Sequence, residues 1–313
     1  MTNKKSESLA SVIIPTLNRG NILVNTLKDL LSQKYPNFEI IIVDQSNIMD
    51  KKITKIVLAN AQKIKYFTLK APGTSYAKNF GASKAQGEIF IFIDDDVHIE
   101  DRNFILNHVL NYENSKIGGV GGRVIMDSSR PVKDIKDVGK FKFCGLKEIN
   151  NFNADFRTFI DHVYGCNQSF RKNVFDKVGG FSVLYKGNAY LEEADLSFRV
   201  KRSGFLIVFD PKAVLLHLHY QSGGCRTSDI YELRYWLVHN YTFFYLRYFP
   251  HILFPVYFLK QFIWALTSGI KRRDIKMVQN MLLALINGYK FYQDIKRTNK
   301  KDIQKIKGVT KCV

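Results

Sequence analysis

The chain has little cysteine, few acids for its many bases, and no long stretch free of charge in its most apolar region. Its 313 residues include four cysteines, Cys144, Cys166, Cys225 and Cys312, with no CxxC pair. That spacing speaks against a disulfide framework and for four reduced thiols in a cytosolic protein. The opening MTNKKSESLASVIIP contains no long apolar core, so no secretory signal is expected. No internal repeat and no low-complexity segment is present. Acidic residues number 28 against 47 Lys and Arg, a net charge of +19, which implies anionic partners: phosphates, nucleic acid or an acidic membrane surface. The excess is uneven. Residues 226–313 hold 16 Lys and Arg against 5 Asp and Glu, a net of +11, which leaves +8 for the first 225.

Hydrophobic residues make up 46% of the chain, ample for a core. In the first hundred residues they fall in alternating patterns. SVIIP (11–15), FEIIIVD (38–44), KIKYFTL (63–69) and GEIFIFID (87–94) read as buried strands. Between them, 21–33, 51–61 and 74–85 read as helices, the last capped by Thr74 or Ser75, packed through Ala77 and Ala82, and ended before Gly87. This alternation predicts an α/β fold with a mostly parallel sheet flanked by helices. Farther on, 117–126 reads as a strand of close backbone approach. Residues 159–181 read as strand, glycine turn, short helix and glycine stop, and 190–205 as an amphipathic helix ended by Gly204. Residues 205–224 read as two short strands around Asp210-Pro211, then His217, His219 and a Gly-Gly loop.

In parallel sheets, ligands bind beyond the carboxyl ends of the strands. Three such ends carry polar residues here: Pro15-Thr16-Leu17-Asn18-Arg19, Asp44, and Asp94-Asp95-Asp96. Asp44 could cap a turn, and Thr16 or Asn18 the following helix. Caps do not explain three adjacent aspartates, since two carboxylates about 4 Å apart repel by roughly 4 kcal/mol near a protein surface. A divalent cation such as Mn2+ or Mg2+, shared with a substrate diphosphate, would offset that repulsion. Arg19, Lys78 and Arg171 are expected near the same anionic ligand. Glu192, Glu193 and Asp195 open a helix, where acids are favoured by the helix dipole and where one could serve as a general base. His217 and His219, two apart on a strand, are candidate third metal ligands.

The tail changes character. Residues 231–258 hold twelve aromatics in 28 residues. No 18-residue span there is without charge; 249–268 comes nearest, with Lys260, His251 and two prolines. The aromatics fall in runs with leucine and proline, which suits lipid rather than nucleic acid. Residues 226–313 are therefore expected to form a helical, membrane-associating extension lying on an anionic membrane surface, with no nucleic-acid partner.

Taken in order, SVIIPTLNR, IIVDQS, AKNFGASKAQGEIFIFIDDDV, GCNQSFRKNVFDKVGGF, EEADLSFRVKRSGF and HLHYQSGG resemble the family-2 glycosyltransferases of GT-A fold, over about residues 10–225. The resemblance implies a glycosyltransferase domain over 1–225, with a nucleotide half at about 10–100 and an acceptor half at about 101–225. It implies that Pro15, Thr16, Asn18 and Asp44 contact base and ribose, with Arg19 and Lys78 near the nucleotide. It makes Asp94–Asp96 the DxD element, with Asp96 and then Asp94 binding Mn2+ or Mg2+, Asp95 facing the ribose or sugar, and His217 completing the metal site. It implies Glu193 as catalytic base, with Glu192 next, and Gly165, Asn167 and Asp195 on the acceptor side. The implied reaction is inverting transfer from a UDP- or dTDP-sugar to a saccharide or lipid-linked acceptor, as in surface polysaccharide synthesis on the cytoplasmic face of the cell membrane. A metal-dependent phosphotransferase and an inactive membrane-bound scaffold are the alternatives.

Overall fold

The computed structural model describes residues 8–48, 50–70, 73–126, 136–220, 223–224, 227 and 229–298. By its internal contacts the chain divides into two compact units. The first comprises 1–141, 148–183 and 192–225, and the second 142–147, 184–191 and 226–313. Cys225 and Cys312 lie outside the described residues.

The first unit is built on alternating strands and helices: β1 (Ala10–Thr16), α1 (Gly20–Leu31), β2 (Phe38–Asp44), α2 (Lys51–Ala59), β3 (Ile64–Thr68), α3 (Thr74–Lys84) and β4 (Ile89–Ile93). After β4 come β5 (Val97–His98), α4 (Phe104–Leu110), β6 (Ile117–Ile125), and a separate two-stranded ribbon of β7 (Lys140–Lys142) and β8 (Lys147–Ile149). Then follow β9 (Thr158–Phe159), β10 (Asn167–Arg171), α5 (Lys172–Val178), α6 (Glu192–Arg202) and β11 (Leu206–His217). The main sheet runs β3-β2-β1-β4-β10-β6-β11-β5, with β9 on β11. The first four strands are parallel, as the expected α/β fold requires, and β6 and β11 are parallel to each other. β10 lies antiparallel between β4 and β6.

Burial explains the unbroken apolar runs. All of β2 and β4 is buried, as befits strands covered on both faces. Phe90, Phe92, Phe170, Phe175 and Phe181 pack edge-to-face or stacked, with Phe92 and Phe181 centroids 4.9 Å apart. Helix α3 approaches the sheet closely: a Cβ on Gly81 would fall 2.5 Å from Ile13 Cγ2. The expected hydroxyl cap of α3 is not formed. Gly73 is its N-cap, so Ser75 lies inside the helix with its hydroxyl available elsewhere. The two strands expected around Asp210-Pro211 are one, β11, whose register slips between Asp210 and Val214. Proline offers no N–H to the ladder, and the slip accommodates it.

The second unit contains α7 (Ile230–Tyr248), α8 (Phe254–Arg272) and α9 (Ile275–Arg297). Much of the aromatic run is its core rather than its surface. Phe243, Phe244, Tyr245 and Tyr257 are buried, and Tyr245 stacks on Tyr257 at 4.1 Å. Small residues let the helices approach: a Cβ on Gly288 would lie 2.7 Å from the His239 carbonyl oxygen. A run of exposed apolar residues lies on α8 and the turn before it, with others on α9. Ile252, Val256, Leu259, Ile263, Leu266 and Ile270 are all exposed, Ile252 by 84% and Ile270 by 75%. Their spacing of three and four places them on one stripe.

Candidate active site

Parallel pairing sets the first residues of the site side by side. Thr16 is in register with Asp44, and Ile13 with Phe92, so β1 runs past β4 and Thr16 reaches the aspartates. The Thr16 hydroxyl donates to Asp95 Oδ2 at 2.6 Å. Asp44 does cap a turn, accepting from Ser46 N at 2.8 Å, and its second oxygen accepts from the Tyr66 hydroxyl. Burial and that carboxylate together push the Tyr66 phenol up. Asn18 caps no helix. It is exposed, in left-handed backbone at φ 55°, and its N–H donates to Ser46 Oγ at 2.7 Å. Pro15 is half-buried beside Val43.

The repulsion among the aspartates is offset first by the chain itself. Arg19 is buried, with its guanidinium 2.9 Å from Asp95 Oδ1 and 3.0 Å from Asp96 Oδ2, and it donates to the Tyr220 carbonyl at 2.7 Å. Burial works against this cation, but Asp95, Asp96 and Asp94 outweigh it and hold the guanidinium above its usual range. Its fork is engaged by the aspartates. The Gly-Gly loop closes over it. Gly224 N–H donates to the Leu17 carbonyl at 2.7 Å, and a Cβ on Gly223 would fall 2.7 Å from Arg19 Cγ. Burial still pushes the Asp95 carboxyl up to about 6, against the pull of Thr16 and Arg19.

Asp96 is fully buried and Asp94 half-exposed. His217 Nε2 stands 3.1 Å from Asp96 Oδ1 and 3.6 Å from Asp94 Oδ2. His219 lies past the end of β11 at φ 51°, and its Nε2 meets Met126 Sδ at 2.8 Å. Strand alternation no longer applies there, so His217 alone of the pair faces the acids. A carboxylate oxygen of Asp94, a ring nitrogen of His217 and Cys166 Sγ lie within 4.8 Å of one another. Oxygen and imidazole donors this close fit a divalent cation.

The acidic turn of α6 forms the opposite wall. Glu192 is buried and accepts from the Ser75 hydroxyl and from Lys78 Nζ at 2.8 Å. Lys78 is itself buried. Desolvation works against its charge, but Glu192, Asp94 and Glu193 keep the ammonium above its usual range. Glu193 is half-buried, and its carboxyl is pushed up to about 8, by burial first and then by the charge of Glu192, with Lys78 opposing. A Cβ on Gly165 would stand 3.9 Å from the Glu193 carboxyl carbon, so Gly165 leaves room beside that group.

Three expected site residues are engaged by other parts of the protein. Asn167 is fully buried, and its side chain bonds the Arg123 and Ala213 carbonyls at 2.9 Å and His108 at 2.9 Å, tying β6 to β11 rather than lining the acceptor side. Asp195 is buried and pairs with Arg199 one turn on at 2.7 Å. Arg171 pairs in register with Ile89, the first residue of β4, because β10 runs antiparallel; its guanidinium binds the Tyr112 carbonyl at 2.7 Å, at the far end of the sheet. Conversely, Ser75, Tyr66 and Cys166 belong to the site unannounced. Cys166 belongs to GCNQSF, in the turn before β10, and only the fold reveals what it faces.

The model of "Glycosyl transferase family 2" matches residues 11–179, more than half of the chain. An uncharacterised glycosyltransferase of Rickettsia conorii is 25% identical over 241 residues, 73% of this chain and 38% of the relative. A GalNAc(5)-diNAcBac-PP-undecaprenol beta-1,3-glucosyltransferase of Campylobacter jejuni is 39% identical over 92 residues, 28% of this chain and 29% of that protein. The chain thus spans well under half the length of these relatives. A mannosyltransferase of Pyrobaculum calidifontis, solved with GDP-Man and Mn2+, matches with a TM-score of 0.56 at 14% identity, over 93% of this chain and 76% of that one, a likeness of fold.

Proposed function

The chain belongs to glycosyl transferase family 2, and from that premise we propose that it is an inverting, metal-dependent transferase acting on a UDP- or dTDP-sugar. One observation carries this reading. Lys78 feels the charges of Glu192, Glu193 and Asp94 together, so the base candidate and the metal-binding candidates share one crevice. Glu192 is engaged by Ser75 and Lys78, which leaves Glu193 as the carboxylate able to accept a proton.

In this reading Glu193 takes the proton of an acceptor hydroxyl. The hydroxyl oxygen bonds to the anomeric carbon as the bond from that carbon to the diphosphate oxygen breaks, and the electron pair leaves with the nucleoside diphosphate. One displacement from the opposite face inverts the anomeric centre. Lys78 and Ser75 fix Glu192, whose charge keeps Glu193 basic. Thr16 and Arg19 hold Asp95 and Asp96 in place, and Gly165 leaves space for the acceptor beside Glu193. Mn2+ or Mg2+, held by Asp94 and His217 with Asp96 behind them, would supply a Lewis acid for the departing diphosphate.

The second unit supports a lipid-linked acceptor on the cytoplasmic face of the membrane. The exposed stripe of α8 lies in a 22-residue helical segment, His251–Arg272, that is mostly unburied and long and apolar enough to cross a bilayer. Lys260, Lys271 and Arg272 accompany the stripe, and we read the helix as lying along an anionic surface. The Campylobacter relative, named for an undecaprenol-linked saccharide, supports the same acceptor class.

Diphosphate release from UDP-, dTDP- and GDP-sugars, each with Mn2+, Mg2+ or EDTA, tests the reading. Turnover of a UDP- or dTDP-sugar that EDTA abolishes is expected. Turnover that survives EDTA, or no metal-dependent binding of any donor, would contradict it. Pelleting with anionic vesicles should fall for Leu259→Glu with Ile263→Glu; unchanged pelleting would refute the membrane assignment.

A further inference from the structure

The metal-facing residues at the end of β4 include one of a different chemical kind. β10 pairs antiparallel with β4, Asn167 opposite Ile93. Cys166, in the turn before β10, and Asp94, just past β4, flank that last pair. On the other side, His217 of β11 pairs with Val97, just past the aspartates. The three segments thereby bring a carboxylate oxygen, a thiol sulfur and an imidazole nitrogen within 4.8 Å of one another.

We propose that Cys166 is an inner ligand of this metal site, and that its thiolate turns the site's preference from Mg2+ toward a borderline ion such as Co2+ or Zn2+. The inference rests on the metal-dependent reading above and adds a ligand to it. Bonds of about 2.0–2.3 Å to nitrogen, oxygen and sulfur place the ligand atoms of one tetrahedral ion roughly 3.3–3.8 Å apart. The observed grouping needs a contraction of about 1 Å, within reach of small side-chain rotations. Cys166 is 2% exposed and lies in the turn just before β10, which the Asn167 N–H closes onto the Tyr164 carbonyl at 3.1 Å. A buried cysteine is often only a small apolar residue. Cys166 adjoins the hydrophobic core, and its sulfur also stands within 4.8 Å of an Asp94 oxygen and a His217 ring nitrogen, which an apolar filler does not call for. On binding, the thiol proton passes to solvent and a sulfur lone pair enters the metal shell; nothing is oxidised or reduced. Thiolate and imidazole favour Co2+ and Zn2+, whereas Mg2+ prefers oxygen alone.

The test uses the full chain with Cys144, Cys225 and Cys312 changed to serine, so that Cys166 is the one thiol. Metal-free protein is titrated with Co2+ and followed by absorption. A near-ultraviolet thiolate-to-cobalt charge-transfer band that saturates at one Co2+ per chain is expected. Cys166→Ser should lose the band and weaken Co2+ binding by at least roughly tenfold, the lower bound for disturbing a metal ligand's support. Saturable cobalt absorption without a charge-transfer band, in the protein that keeps Cys166, would overturn the proposal whether or not Cys166→Ser folds. Binding of UDP or dTDP read in the same samples separates the two ideas. Nucleotide binding that needs metal while the band is missing removes the thiolate ligand and leaves the transferase reading standing. No Co2+ binding together with metal-independent nucleotide binding removes both.

Discussion

Replacing Arg19 by methionine takes away the cation that two buried carboxylates share. The guanidinium lies 2.9 Å from Asp95 and 3.0 Å from Asp96, with both acids almost wholly out of solvent. At an effective dielectric near 20, each contact at about 3 Å is worth roughly 5 kcal/mol before desolvation is counted. Breaking a buried pair by removing one partner costs about 3–5 kcal/mol, since the other charge stays behind. For a unit of this size that corresponds to a fall in Tm of roughly 6–20 °C. The loss should also depend on pH. Asp95 is already pushed up to about 6, and without Arg19 it rises further. The unfolded chain's aspartate titrates near about 3.9. A carboxyl raised on folding stabilises below the unfolded value and loses that contribution as pH climbs through the folded one. The gap between wild type and Arg19→Met should therefore be small near pH 5 and widen toward pH 8. Thermal unfolding across that range measures it. Equal midpoints at neutral pH, or a gap that does not widen, would refute the reasoning.

Three further outcomes follow from the same geometry. Because the Glu193 carboxyl is pushed up to about 8, by burial and by Glu192, transfer should rise with pH through about 8 as the base loses its proton; Glu192→Gln should move that limb lower, and a wild-type limb at pH 4–5 would contradict the assignment. His217→Asn should weaken Mn2+ binding by roughly 10–100-fold in a calorimetric titration, whereas His219→Asn, which alters a residue whose Nε2 meets Met126, should weaken it less. Asn167→Leu should destabilise the protein by about 1–3 kcal/mol for each buried group left without a partner, seen in denaturant unfolding. A change in acceptor KM without loss of stability would return Asn167 to the acceptor side.

The parallel half of the sheet was legible from its apolar runs, because strands buried on both faces carry no polar alternation to confuse them. The aspartate triplet, Thr16 and the paired glutamates were legible for a related reason: like charges at strand ends and in one helical turn demand a partner. What the pattern could not carry was pairing across long separations. β10 follows β6 by some forty residues yet inserts between it and β4 in the opposite direction, and that reversal sends Arg171 to the far end while bringing Cys166, in the turn before β10, near Asp94. The role of Arg19 was hidden likewise, since a basic residue after a strand serves a ligand or a carboxylate equally well until the fold brings Asp95 within 3 Å. In the second unit, Phe243, Phe244 and Tyr245 of α7 proved to be interior, on a helix that closes through His239 and Thr242 onto Gly288 of α9, whereas the apolar stripe of α8 is on the surface.

The most direct test is to compare Glu193→Gln with wild type in two assays on the same samples: metal-dependent binding of the nucleotide sugar by calorimetry, and sugar transfer to acceptor. The amide keeps the size of the side chain and removes only its ability to take a proton. Unchanged binding with transfer reduced by at least roughly a hundredfold, the lower range for loss of a general base, is the expected result. Transfer at the wild-type rate would contradict the account and place the base elsewhere.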